Sequence, residues 1–123
     1  MKSVVAFFAH PDDETVMAGG MIALLARQGV PVHIVCATRG QGGELGEPPV
    51  TTRNKLGQVR EAELRCAAEA LGAAVSVLNY VDPLIGPDDL LTAFEADFDT
   101  LARQFATIAG LLNADVILTH GSD

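Results

Sequence analysis

Long apolar runs are missing from this chain of 123 residues, and none approaches the ~20 consecutive apolar residues that a membrane-spanning helix needs. The apolar residues near the start, 4–9, are too few for a secretory core and run straight into charged residues, so no signal peptide is read there. Basic residues are scarce: 8 Lys and Arg stand against 16 Asp and Glu, for a formal net charge of −8. Phosphate-backbone recognition needs a positive face, so nucleic acid and anionic membrane surfaces are excluded as partners. Cysteine is scarce as well. Cys36 and Cys66 lie in apolar segments at a spacing that fits no metal motif, and two buried thiols in a reducing compartment are expected. No internal repeat, low-complexity stretch or interdomain linker interrupts the chain.

What is present is enough to build a core. Hydrophobic residues make up 49% and charged residues 20% of the sequence, and the mean hydropathy is +0.28. This is one domain's worth of chain, spanning 1–123, and it points to a soluble, cytoplasmic protein. The charge is uneven. Residues 82–123 carry eight acids and one base, whereas residues 1–81 carry eight acids and seven bases. The second part therefore reads as a solvated acidic surface, and recognition of a polar ligand should draw on the first.

Short apolar runs at 3–9, 32–38, 75–79 and 116–119 read as strands covered on both faces. Between them lie helical segments at 13–28, closed by Gly29 and Pro31, and at 54–71, closed by Gly72. A third helix is expected over 88–112. There Leu91, Phe94, Phe98, Leu101, Phe105, Ile108 and Leu112 form a core stripe, with Asp88 and Asp89 complementing the helix dipole. Strand alternating with helix implies right-handed crossovers. The fold class expected is α/β: a Rossmann-like three-layer sandwich with a mainly parallel sheet. The Gly- and Pro-rich stretch 40–53 and a second loop at 82–87 leave the carboxyl edge, where such folds bind ligands.

The chemistry concentrates in His10-Pro11-Asp12-Asp13-Glu14, at the turn from the first strand into the first helix. Pro11 fixes its own φ and sets the side chains around it in a defined relation. His10 and the carboxylate of Asp13, three positions on, can close on one ion in the mixed N/O ligation that zinc accepts. A third ligand must then come from elsewhere. A remaining carboxylate of the run cannot point at the same spot as its neighbour and is left to take a proton from the attacking water. Acids that merely cap a helix would account for Asp12, Asp13 and Glu14, but not for His10 ahead of them. Gly19-Gly20 sits inside the helix, where glycine costs ~1 kcal/mol, which predicts close approach of another backbone.

Ala9-His10-Pro11-Asp12-Asp13-Glu14, followed after four residues by Gly19-Gly20, resembles the signature of the LmbE/PIG-L family. These are zinc-dependent de-N-acetylases of N-acetylglucosamine derivatives. Thr38-Arg39-Gly40 with its Gly/Glu loop, Arg60-Glu61-Ala62-Glu63 with Leu71-Gly72, and Leu118-Thr119-His120-Gly121 are similar to further family features, in the family's order. The resemblance implies that His10 and Asp13 are zinc ligands and Asp12 the general base. It also implies that Arg60 and Asp82 meet a small N-acetylated amino-sugar substrate. The family's third ligand lies in a His-Pro-x-x-His-like segment after the Thr-His-Gly strand, together with a histidine that steadies the oxyanion. This sequence reaches Asp123 before that segment, which reads as a C-terminal truncation. His120 matches the strand-end histidine, not the missing ligand.

Blander roles compete with these. Arg60 can instead pair with Glu63 on the helix surface or with charge on the Glu61 side, and Asp82 can instead form an Asx-type turn before Pro83. Glu44 reads as solvated and His33 as structural. A non-catalytic binding or assembly module, or an inactive fragment of the enzyme, is the alternative to the hydrolase. Dinucleotide binding is disfavoured, because the first strand–helix turn offers acids where a pyrophosphate needs glycines and amides. An open sheet missing its last elements exposes apolar surface and invites homo-oligomer formation.

Overall fold

A computed structural model describes residues 3–121; the expected chain end at Ser122 and Asp123 lies outside them. Strand β1 (Val4–Phe8) leads into helix α1 (Asp13–Arg27), then β2 (Val32–Thr38), α2 (Leu56–Leu71), β3 (Ala74–Tyr80), α3 (Phe98–Leu111) and β4 (Val116–Thr119). The strands form one sheet in the order β3-β2-β1-β4, and every pairing is parallel. Parallel neighbours put all four carboxyl ends on one edge, which is where His10, the 40–53 loop and Asp82 emerge.

The layers follow from the two-residue period of the strands. Val4, Ala6 and Phe8 of β1, with Val32, Ile34 and Cys36 of β2, face Ala18 and Ile22 of α1 and Leu64 and Ala68 of α2. The alternate residues Val5, Val35 and Leu78 face the other way, against Leu101, Phe105, Ile108 and Leu112 of the α3 layer. Phe7 packs against Phe105 with the rings tilted by 32° and their centroids 4.4 Å apart. This is the expected three-layer α/β sandwich, with β1 and β2 at its centre. His33, in mid-strand, bonds through Nε2 to the Ser76 hydroxyl at 2.7 Å, and burial pushes its pKa down. That is the structural role expected of it.

Three expectations are corrected. The third helix begins at Phe98, not at 88. Asp97 caps it by accepting the amide of Thr100 at 3.1 Å, so Asp88 and Asp89 lie outside it. The preceding stretch turns back on itself. Asp89 adopts a positive φ of 61°, and an antiparallel bridge joins Ile85 to Leu91. Local turn chemistry around Gly86-Pro87-Asp88 overrides the helical spacing of Leu91 and Phe94. Leu91 is accordingly 72% exposed and Phe98 77%, so the core stripe starts only at Leu101.

Cys66 is the second correction: it lies on the outer face of α2 and is exposed, while Cys36 is buried as expected. Burial first, and the nearby Glu14 and Asp13 carboxylates next, push the Cys36 thiol up to about 12. Alkylation of the folded chain near neutral pH should therefore modify Cys66 alone, with Cys36 reacting only after unfolding. Mass spectrometry of the two states reads this directly.

The third concerns Gly19-Gly20. No backbone of another element approaches either residue: a Cβ on Gly19 would make ordinary contact with the Leu71 side chain at 3.8 Å and with the Glu14 carbonyl of its own helix at 3.9 Å, and one on Gly20 would meet nothing within 4 Å. Gly20→Ala should therefore stabilise the fold by about 1 kcal/mol, the helix-propensity difference. An unchanged or lowered melting temperature would contradict this.

Candidate active site

The carboxyl end of β1 is locked to β2 before the site begins. The Thr38 amide and hydroxyl both donate to the Ala9 carbonyl at 3.0 Å, and the Gly40 amide donates to the Thr38 hydroxyl at 3.1 Å. From this anchor the chain makes its turn through His10-Pro11-Asp12. Asp12 sits at φ 92°, ψ −31°, where a non-glycine residue is strained and must be held by its surroundings. Its amide donates to Glu14 Oε2 at 3.1 Å, and its carbonyl accepts from Thr15 and Val16. Glu14 itself is 1% exposed, and its other oxygen takes the Thr15 hydroxyl at 2.9 Å. The acids thus brace the turn that carries them, and Asp12, at the N-cap position, makes no side-chain cap bond.

His10 and Asp13 come together. Asp13 Oδ2 lies 3.4 Å from His10 Nδ1 and accepts the His10 backbone N–H at 3.0 Å. Two donors each 2.0–2.2 Å from one tetrahedral ion stand roughly 3.3–3.6 Å apart, so the separation of the pair is that of two ligands of one zinc-sized cation. The surrounding charge agrees: the carboxylates of Asp13 and Asp82 meet His10, and that of Glu14 meets the Asp12 amide, while the Arg60 guanidinium is taken up by Asp12. Among the described residues, no group of three or more His, Cys, Asp or Glu side chains is placed to hold an ion. The fit is to the two donors expected from this segment.

Asp12 points elsewhere. Its Oδ2 meets Arg60 Nη2 at 3.1 Å, and its side chain is 72% exposed. Arg60 reaches in from α2, donating also to the carbonyls of Pro11 at 2.7 Å and Gly40 at 2.9 Å. A surface pair with Glu63 does not form, because the guanidinium is turned inward. Neighbouring Glu61 takes Arg39 at 2.7 Å and Arg65 at 2.8 Å instead. Asp82, after β3, is 8% exposed. Its Oδ1 lies 2.9 Å from His10 Nε2, and its Oδ2 accepts the Gly42 amide at 3.0 Å. A local Asx turn before Pro83 is thereby displaced by two long-range bonds.

Two cavities flank this cluster. One, of about 330 Å³, is lined by His10, Thr38, Asp82, Phe94, Thr119 and His120 among others. The other, of about 310 Å³, is bordered by Asp12, Gly43, Glu44, Arg60 and Glu63. Glu44 is exposed, as expected of a solvated residue. His120 stacks on Phe8, ring centroids 6.1 Å apart, at the rim of the first cavity. Sequence reasoning missed the glycines of the 40–53 loop as parts of the site. Gly40 and Gly43 make room for the Arg60 guanidinium, and Gly42 makes room for Pro83 and Asp82. Their spacing in a loop at the carboxyl edge was the available signal.

Comparison with known proteins decides the family. The PIG-L model, described as GlcNAc-PI de-N-acetylase, matches residues 5–123. The chain belongs to the PIG-L family. A Bacillus cereus relative of this PIG-L protein, a probable N-acetyl-alpha-D-glucosaminyl L-malate deacetylase, is 37% identical over 96% of the chain and 51% of its own length. The chain thus spans about half the length of that relative. Among solved structures, the N,N'-diacetylchitobiose deacetylase of Pyrococcus horikoshii superposes with a TM-score of 0.76 at 27% identity, covering 94% of this chain and 39% of that one. The 4-carboxy-2-hydroxymuconate hydratase of Pseudomonas putida superposes at 0.75 with 36% identity, covering 98% and 47%. Like its sequence, the structure of this PIG-L member has no helix, among the described residues, long and apolar enough to cross a membrane.

Proposed function

We propose that this PIG-L protein is a zinc-dependent amide hydrolase that removes the N-acetyl group from an N-acetylglucosamine-type small molecule. One observation carries the reading: His10 and Asp13 converge at the separation of two ligands of one ion, while Asp12 is held apart from them. Zinc, when bound, supplies Lewis acidity that polarises an amide carbonyl and makes water nucleophilic near neutral pH. Asp12 is the general base. Arg60 anchors one of its oxygens, and its exposed carboxylate accepts the proton of the attacking water. That proton then passes to the departing amine as the C–N bond breaks, leaving acetate and a free amino sugar. Arg60 and Asp82 border the site on its two sides and face the substrate. Free Cys36 and Cys66 suit a reducing, cytoplasmic setting.

The hydratase likeness favours a second reading, in which the same residues deliver water to a carbon–carbon double bond of an unsaturated carboxylate. Acetate release from N-acetylglucosaminyl conjugates separates the two. The hydrolase should release acetate when zinc is supplied and stop on chelation. Failure to release acetate, together with hydration of 4-carboxy-2-hydroxymuconate, would replace the first reading with the second.

A further inference from the structure

We propose that Asp82 is a positioning residue: by accepting the Nε2 proton of His10 it fixes the imidazole tautomer that leaves Nδ1 bare, beside Asp13, for a divalent cation. This rests on the metal reading of the site given above.

The argument starts from what a carboxylate can do. An ionised Asp only accepts, so its 2.9 Å contact with His10 Nε2 requires the proton to sit on that nitrogen. In the neutral ring, Nδ1 then carries a lone pair. It points at Asp13 Oδ2, 3.4 Å away, an oxygen that already accepts the His10 backbone N–H. Two lone pairs facing each other at that distance repel unless a proton or a metal cation lies between them. A cation removes the repulsion, and a neutral ring of this tautomer is the form that binds it.

Asp82 is built to hold the ring steadily. Its side chain is 12% exposed, and its second oxygen is tied to the Gly42 amide at 3.0 Å. Its own backbone N–H donates to Gln41 Oε1 at 3.3 Å. The carboxylate is therefore gripped by the 40–53 loop on one side and the imidazole on the other. Each of its oxygens is thus engaged inside the protein, and the one on His10 is held there whether or not substrate is bound. Nor does Asp82 join His10 and Asp13 as a third ligand, since it occupies the opposite ring nitrogen. Carboxylates in this outer position are worth about 10- to 100-fold in metal affinity.

The test uses the whole chain with ¹⁵N-labelled histidine, at a pH well above the ordinary imidazole value of ~6.5. His10→Gln identifies the His10 signals. The metal-free wild-type ring should show Nε2 protonated and Nδ1 bare, and added zinc should shift Nδ1. Asp82→Ala should lose the single tautomer and bind zinc about 10- to 100-fold more weakly in competition with a chromophoric chelator. Asp82→Asn, which keeps one acceptor oxygen, should retain the tautomer and lose less affinity. A wild-type ring protonated at Nδ1, or an Asp82→Ala chain with unchanged zinc affinity, overturns the proposal. If Asp82→Ala does not fold, the wild-type tautomer and Asp82→Asn decide. A ring of the expected tautomer in a chain that takes up no zinc upholds the grip of Asp82 and overturns the metal reading instead.

Discussion

Asp12→Asn should lower acetate release by about 10²- to 10⁴-fold, the usual contribution of a positioned general base, while leaving zinc content unchanged. Asparagine has the same shape and can still accept from Arg60 Nη2, as Asp12 Oδ2 does at 3.1 Å. Its amide cannot take up a proton near neutral pH. The loss should fall on kcat rather than KM, because the substrate's resting contacts are untouched. His10→Ala is the matching control and should lose metal and activity together. Zinc content by elemental analysis, alongside acetate release, distinguishes the two variants. If Asp12→Asn turns over like the wild type, the base is another group. If His10→Ala keeps stoichiometric zinc, the ligand assignment fails.

Gly42→Ala is expected to damage both fold and site. The added Cβ would lie 2.0 Å from the Pro83 carbonyl oxygen, 2.9 Å from its carbon and 3.0 Å from Asp82 Oδ2. A Cβ has no rotamer to escape through, and the nearest obstacle is backbone, so the 40–53 loop must move off the segment after β3. Overpacking of this kind costs about 1–3 kcal/mol. The movement also breaks the bond from the Gly42 amide to Asp82, so zinc affinity should fall with the melting temperature. Gly40→Ala meets the movable end of Arg60 at 2.0 Å instead, but its backbone sits at φ 68°. The Gly42 variant reads steric contact with rigid backbone, and the Gly40 variant adds conformational strain. A Gly42→Ala chain that melts like the wild type and binds zinc equally well would contradict the packing described here.

The sheet was legible because its signals are local. β2 and β4 occupy the residues their apolar runs mark out, and α1 and α2 end where Gln28-Gly29 and Gly72 stop them. Where two local signals compete, periodicity misleads. Leu91 and Phe94 keep helical spacing with Phe98 and Leu101, yet the turn at Gly86-Pro87-Asp88 takes that segment, and the helix waits for the Asp97 cap. Cys66 shows the same limit. An apolar neighbourhood in sequence says nothing about which side of a helix a residue occupies until the helix has a sheet to pack on.

At the site, the motif itself determined the chemical types and their order: an imidazole, a turn-fixing proline, then three carboxylates at the mouth of a helix. Spacing alone brings His10 and Asp13 within reach of each other, since one turn of backbone separates them. The contacts of Arg60, Asp82 and the loop glycines were decided only by tertiary structure. These residues lie far from His10 along the chain and meet it because β1, β2 and β3 pair in parallel and deliver their carboxyl ends to one edge. Long-range pairing depends on strand order and on the depth of each loop, and neither is encoded within a few residues of the groups it unites.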